Sequence, residues 1–202
     1  MTTTTKSPKY LKSLFISFLF TAVCSAMIAQ NLKIVPGSST MTIYGTTNVH
    51  DFTSKVTQIT GELVISSSKQ VQSLVVNIPV KSIKSGEKIM DKKTYETFNA
   101  DKNSNIAFHL IQATSLNVNG QDIDVTLTGN LTMAGVTRKI SFKTTGKSIK
   151  TGVYQFKGSV PLKMSDFNMK PPTAMLGVMK VGDGIILKFD VSMATQNMAS
   201  IN

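Results

Sequence analysis

Apolar and polar residues alternate along most of the chain from Ser39 onward, the period expected where one face of a strand is dry and the other wet. Ile59, Gly61, Leu63 and Ile65 share one parity, and Leu74, Val76, Ile78 and Val80 share the next. The rhythm recurs at Ile106, Phe108 and Leu110, and again over Ile123, Val125, Leu127, Gly129, Leu131 and Met133. Val136, Ile140 and Phe142 follow, then Tyr154, Phe156, Gly158, Val160 and Leu162, and finally Ile185, Leu187, Phe189, Val191 and Met193. Together with residues 41–47, this predicts eight strands. The opposite faces carry Asp122, Asp124, Lys139, Lys143, Lys188 and Asp190. Such half-burial points to an antiparallel sheet, because parallel strands are covered on both faces and read as continuous apolar runs. Ala134-Gly135 and Thr145-Gly146 read as turns joining sequence neighbours.

Two stretches break the period. Residues 85–98 place Ile89, Met90, Lys93 and Phe98 at helical offsets and predict one short helix between the third and fourth strands. Residues 166–184 contain Pro171-Pro172 and cannot form one regular strand. Eight strands with one dry face each bury that face by stacking two sheets or by closing one sheet into a barrel, and closure also removes exposed edges. The expected fold is therefore all-β, an eight-stranded antiparallel barrel, at the size where the interior is either filled or holds one small ligand. Gly61, Gly129 and Gly158 fall in the dry rows, where glycine marks either a sharp bend of the strand or room left for something else. The two readings are compatible.

With 202 residues, 41% hydrophobic and 16% charged, the chain is that of one globular domain rather than a disordered segment. Its N-terminus has a separate character. Lys6, Lys9 and Lys12 lead into an apolar run from Leu14 to Phe20 and then into small residues, the layout of a secretory signal peptide. Residues 1–29 are read as that peptide and 30–202 as the barrel domain, periplasmic or secreted, with cleavage after Ala26 as the alternative boundary. Cys24 suggests an acylated lipoprotein, but Val23 before it fits that motif poorly. As Cys24 is the one cysteine, an internal disulfide and a cysteine-built zinc site are excluded, and two histidines argue against a multi-histidine metal centre.

Removing residues 1–29 takes away three lysines and no acid, leaving 19 basic against 11 acidic residues, a net +8. That balance suits either an anionic head group or membrane surface, or lysines that are simply solvated. The lysines are scattered and not interleaved with aromatics, so no nucleic-acid partner is expected. Met164, Met169, Met175 and Met179 lie in or beside the irregular stretch, where unbranched thioethers serve as adaptable lining for an apolar ligand or as ordinary core filling. A Cu(I) site is disfavoured, since there is no compact Met-x-Met cluster and no supporting cysteine or nearby histidine. His50 and Asp51 are the obvious acid–base pair, yet adjacent residues on a strand point to opposite faces, so a structural or rim role is expected. His109 has outward parity, and the sequon Asn130-Leu131-Thr132 sits inside a strand and is read as coincidental.

Five blocks in order carry a further signal: Gly45-Thr46-Thr47-Asn48-Val49-His50-Asp51-Phe52; Ser82-Ile83-Lys84-Ser85-Gly86 with Met90-Asp91-Lys92-Lys93-Thr94-Tyr95; Ile106-Ala107-Phe108; residues 129–138; and Met164-Ser165-Asp166-Phe167-Asn168-Met169-Lys170-Pro171-Pro172. In these the chain resembles the YceI-like family, from about Gly37 to Ser192, departing from it in carrying Phe52 where the family has Trp. The resemblance implies a lipocalin-like barrel exported to the periplasm or secreted, whose apolar lumen binds a polyisoprenoid or related long-chain lipid without catalysis. It implies no cofactor beyond such a bound isoprenoid or fatty lipid. Leu63, Met90, Phe108, Leu110, Leu127, Leu131, Met133, Phe142, Phe156, Leu162, Met164, Met169, Met175 and Phe189 are the expected lumen contacts. His50, Lys88, Lys92 and Arg138 are the expected head-group or rim residues, although a solvated helix face also accounts for the lysines. The alternative function is an accessory protein or enzyme acting on an isoprenoid quinone-like ligand, with a membrane b-type cytochrome as partner. The sequence leaves the oligomeric state open, a dimer included.

Overall fold

The alternating segments are strands, and the early ones are interrupted. In the computed structural model, residues 1–2, 30–66 and 70–195 are described, the Met175 side chain excepted. Nearly all of the expected signal peptide, including Cys24, lies outside these residues. Among them the chain runs β1 (Gln30–Ile34), β2 (Thr40–Thr47), β3 (Asp51–Val56), β4 (Thr60–Ile65), β5 (Val71–Pro79), β6 (Ile83–Lys84), α1 (Lys88–Phe98), β7 (Asn105–Asn119), β8 (Asp122–Met133), β9 (Val136–Lys150), β10 (Val153–Lys163), β11 (Thr173–Ala174) and β12 (Met179–Thr195). Every pairing between them is antiparallel.

Eight of these strands form a closed ring in the order β1-β4-β5-β7-β8-β9-β10-β12, and β12 returns to β1 through Leu32 opposite Thr195 and Ile34 opposite Met193. The all-β, eight-stranded barrel is therefore present. Seven of the eight expected segments are ring members; the eighth, residues 41–47, is β2, and β1 takes its place. The remaining short strands extend the wall at one end. Val181 to Asp190 of β12 pair with β2, β2 pairs with β3, and β3 with β6.

The helix thus lies between the sixth and seventh strands, not the third and fourth. The interruptions explain the miscount. Pro36 opens a 3-10 turn between β1 and β2, and a 3-10 turn over Val80–Ser82 separates β5 from β6. Strands of two to six residues flanked by such turns are too short for alternation to declare them. Ala134 and Gly135 form the expected tight turn, both in the left-handed region that a two-residue hairpin loop requires. Thr145-Gly146 is not a turn: both lie inside β9, and the chain reverses instead around Gly152.

Helix α1 ends on Asn99 in the left-handed conformation, with Phe98 buried beneath it. A polar clamp ties the helix to β6. Ser85 donates to Asp91 Oδ1 from both its backbone N–H and its hydroxyl, each at 2.7 Å. Lys84 Nζ donates to the Tyr95 hydroxyl at 2.6 Å and stands 3.8 Å from Asp91, while that hydroxyl in turn reaches the carbonyls of Lys81 and Ile83. Partial burial pushes the Asp91 carboxyl up, but the Ser85 bonds and the Lys84 charge outweigh it and hold the group below its ordinary 3.8. No helix among the described residues is long and apolar enough to cross a membrane.

A carboxyl held below its unfolded value contributes stability that is complete above that value and is lost as the pH falls through the folded one. Asp91→Asn is expected to cost about 1 to 3 kcal/mol, the loss of hydrogen bonds to a charged group, and to flatten the fall of the melting temperature on the acid side of about pH 4. Thermal melts of both proteins by circular dichroism across that range check this; parallel curves would mean that packing alone holds α1.

Candidate functional site

The inward faces of the ring strands enclose a lumen with a cavity of about 160 Å³. Every side chain lining it is apolar except Thr144, which is 3% exposed and donates its hydroxyl to the Lys157 carbonyl at 2.8 Å. The lumen therefore presents no uncommitted hydrogen-bonding side chain, and it suits a ligand segment that needs none.

How the wall keeps any space at all follows from its glycines. A methyl group on Gly158 would sit 2.4 Å from Phe189 Cζ, its cross-strand partner; on Gly129, 2.4 Å from Phe108 Cζ; and on Gly146, 2.5 Å from Phe156 Cε1. The rings of these phenylalanines are packed onto bare Cα atoms of the neighbouring strand, and Phe52 does the same on Gly45 nearer the mouth. Gly61 accepts the Ile34 side chain. The room made by the inward glycines is thus occupied by the protein's own side chains, which are drawn back toward the wall. Phe142 completes the lining between Phe108 and Phe189, with ring centroids 5.6 and 6.1 Å away in tilted and edge-on contacts.

A second cavity of about 330 Å³ lies at the α1 end. Ile43, Ile83, Phe98, Met133 and Ile185 belong to both walls, so the two spaces meet across these five side chains. Its walls are α1 on one side and the stretch from Met164 into β12 on the other, with the β2–β3 turn between them. Asn48 in that turn bonds the Val178 carbonyl and receives the Lys180 N–H, which fastens the turn to β12. The opposite lip is anchored by Asp183, whose carboxylate accepts the Ser165 hydroxyl at 2.6 Å and backbone N–H at 2.8 Å. Those two bonds hold the Asp183 carboxyl below its ordinary range. The 3-10 turn so fixed buries Phe167, Met164 and Met169. Val49, Ile89, Leu176 and Val178 stand exposed around the opening.

Of the expected lumen residues, Leu63, Phe108, Leu127, Leu131, Met133, Phe142, Phe156, Leu162 and Phe189 line the inner cavity. Met90, Met164 and Met169 line the mouth instead, where Met133 and Met179 join them. Leu110 lines neither cavity: it packs on the core opposite Gly129, just where β7 bulges before Gln112. The Met175 side chain lies outside the described residues. Among the rim residues, His50 lines the mouth. Lys88 and Lys92 do not; both are exposed, Lys92 facing Glu96 at 4.0 Å, and it is Lys93 that reaches the cavity. Arg138 is also absent from the lining, because its Nε donates to the Asp166 carbonyl at 2.7 Å and braces the mouth turn. His50 and Asp51 form no dyad: Nδ1 of the ring meets the Asp51 backbone carbonyl at 2.9 Å, and both residues are exposed. His109 is exposed, as its parity requires. Among the described residues no three His, Cys, Asp or Glu side chains are grouped to hold a metal ion.

Comparison with known proteins bears on this geometry. The model of the YceI-like domain matches residues 32–193. No curated protein matches the chain at a significant level. Among solved structures, BcnA of Burkholderia cenocepacia is similar at 19% identity and a TM-score of 0.63, covering 79% of this chain and 98% of its own. A polyisoprenoid binding domain from Saccharophagus degradans, implicated in plant cell wall breakdown, is similar at 13% identity and 0.66, with 81% and 98% covered. The YceI protein of Campylobacter jejuni is similar at 19% identity and 0.57, with 71% and 84% covered.

The wall geometry makes a direct prediction. Gly158→Ala must drive the Phe189 ring into the lumen, at a cost of about 1 to 3 kcal/mol for overpacking, and the displaced ring takes space from any guest. Adding Phe189→Leu to it is expected to restore both the melting temperature and the uptake of an apolar dye. Dye titration of the three proteins checks this, and full dye uptake by the single variant would show that the ring does not border usable space.

Proposed function

Since the chain belongs to the YceI-like family, we propose that it is a non-enzymatic carrier that holds the apolar tail of a polyisoprenoid or other long-chain lipid inside its barrel. The observation that carries this reading is a lumen with no free polar side chain that meets a wider, methionine-lined mouth. The polyisoprenoid binding domain of similar fold supports the choice of ligand class. The basic, apolar and small-residue succession of residues 1–29 supports export, and the protein is proposed to act in the periplasm or outside the cell.

Volume limits the cargo. A cavity of about 150 Å³ accommodates one benzene, six carbons, and the inner lumen, at about 160 Å³, is of that size. With the mouth at about 330 Å³, the site encloses on the order of twenty carbons by the same proportion. Burying methylene-sized groups yields about 0.8 kcal/mol each before ordering costs, so the six inner carbons alone supply roughly 5 kcal/mol gross. The proposed cargo therefore has a tail of about fifteen to twenty carbons enclosed, and a longer one protrudes from the mouth. A role on a quinone-like ring with a membrane b-type cytochrome comes second, because the inner lining offers no side chain to move a proton.

Native mass spectrometry of the protein without residues 1–29, followed by organic extraction, is expected to find one bound prenyl or similar lipid. Val160→Phe, which fills the inner cavity, is expected to lower uptake of a farnesyl-length probe by about tenfold, in line with about 1 to 3 kcal/mol of overpacking. Protein that is lipid-free on isolation and takes up no prenyl probe overturns the carrier reading. Turnover of a quinone-like substrate that Val160→Phe spares and His50→Ala abolishes favours the second.

A further inference from the structure

Five methionine side chains, Met90, Met133, Met164, Met169 and Met179, line the mouth cavity, and they are graded in depth. Met133, Met164 and Met169 are buried at 4%, 7% and 5% exposure. Met90, on α1, and Met179, at the start of β12, are half-buried and line the cavity from its two sides. Met41 and Met193 are buried on the inner lumen. The barrel domain as read from the sequence contains no cysteine, since Cys24 precedes Gln30. Its thioethers are then the only side chains that take up oxygen reversibly.

We infer that, of the barrel-domain methionines whose side chains are described, Met90 and Met179 are the first that peroxide modifies, and that their sulfoxides close the mouth to apolar cargo. A lone pair of the thioether sulfur attacks one oxygen of hydrogen peroxide. The S–O bond forms, the O–O bond breaks and, after proton transfer, water leaves; sulfur is oxidised by two electrons and the peroxide reduced. Depth sets the order of reaction, because peroxide must reach the sulfur: the two lip residues react before the three beneath them. The effect on binding follows from the surroundings. A thioether is a soft apolar surface, whereas a sulfoxide carries a strong hydrogen-bond acceptor. The lining already includes Lys93 and Thr94 on α1 and Thr47, His50 and Ser54 around the β2–β3 turn, so a sulfoxide oxygen finds polar neighbours and water there and the apolar area of the entrance shrinks. An apolar tail must then strip that oxygen of its partners to pass.

The modification rests on the carrier reading for its consequence but not for its site. Protein lacking residues 1–29 is treated with graded hydrogen peroxide, mapped by peptide mass spectrometry, and titrated with N-phenylnaphthylamine, a dye that reports an apolar cavity whatever the natural ligand. Sulfoxide is expected at Met90 and Met179 before Met133, Met164 and Met169. Dye affinity is expected to fall roughly tenfold, the effect of about one poorly satisfied polar group, and to return after treatment with methionine sulfoxide reductases of both stereospecificities. In the Met90→Leu, Met179→Leu double variant, treated and untreated protein should bind alike, each compared with its own baseline. Equal oxidation of Met133, Met164 and Met169, unchanged affinity after modification of the lip pair, or the same loss in the double variant overturns the inference. Untreated protein that binds the dye yet no prenyl lipid defeats the carrier reading alone. If it binds neither, the sulfoxide map decides the modification site by itself.

Discussion

A ring of eight strands has almost no spare interior, so every inward ring of a phenylalanine competes with any guest for the same space. The structure resolves that competition on the wall. Gly129, Gly146 and Gly158 give up their side chains, and Phe108, Phe156 and Phe189 settle onto the bare backbone they leave. A glycine in a strand loses packing and backbone entropy, and the aromatic ring lying over it recovers the packing. The arrangement both seals the barrel and fixes how much of its centre is left over. Close-packed interiors do not adjust to an added methyl group without shifting their neighbours, which makes the residual cavity a property of the glycine positions as much as of the residues that visibly line it.

The two cavities differ in the way they meet a guest. The inner one is bounded by branched and aromatic side chains held in register by long strands, with its single hydroxyl already bonded. The outer one is bounded by methionines, a helix and an irregular segment, with polar residues both on α1 and around the β2–β3 turn. A rigid dry chamber selects for the absence of polarity, and a soft one accommodates variation in shape. Ile43, Ile83, Phe98, Met133 and Ile185 stand in both walls, so these five side chains form the boundary between the two chambers.

Much of the barrel was legible because period two is a strong signal wherever a strand is long and wet on one side; β8, β10 and β12 show it over most of their length. It fails for β1, β3, β6 and β11, which are too short to display it. Thr145-Gly146 looked like a turn because glycine punctuates turns more often than it receives a ring, and only the cross-strand neighbour Phe156 reveals the second use. Parity placed the strand residues from Leu63 to Phe189 on the inward face, but Leu110 falls at a bulge, and Met90, Met164 and Met169, which lie off the regular strands, stand at the mouth instead. The rim was not readable. Arg138 has a charge that suits a head group but is engaged with the Asp166 main-chain carbonyl, 28 residues on, and Lys88 and Lys92 stand on the exposed face of α1. The exposed Val49, Leu176 and Val178 lie in segments without any period, so nothing in the sequence set them apart.

The polar residues that matter structurally are placed at the mouth and not in the lumen, and this separates holding the cargo from admitting it. One lip, α1, is fastened through Asp91 to Ser85 and Lys84. The other side rests on the 3-10 turn that buries Met164 and Met169 beneath the rim, a turn fastened through Asp183 to Ser165. Each fastening is a small cluster of hydrogen bonds, part-buried at Asp91 and exposed at Asp183, and such local clusters open at a fraction of the free energy needed to unfold a strand paired on both edges. Opening a lip leaves the ring from β1 to β12 hydrogen-bonded throughout. On the proposed carrier reading, an oily chain would enter past displaced methionines while the barrel wall, with its rings seated on glycine, stays as it is; the rim hydrogen bonds would then bear on entry and the apolar area inside on retention.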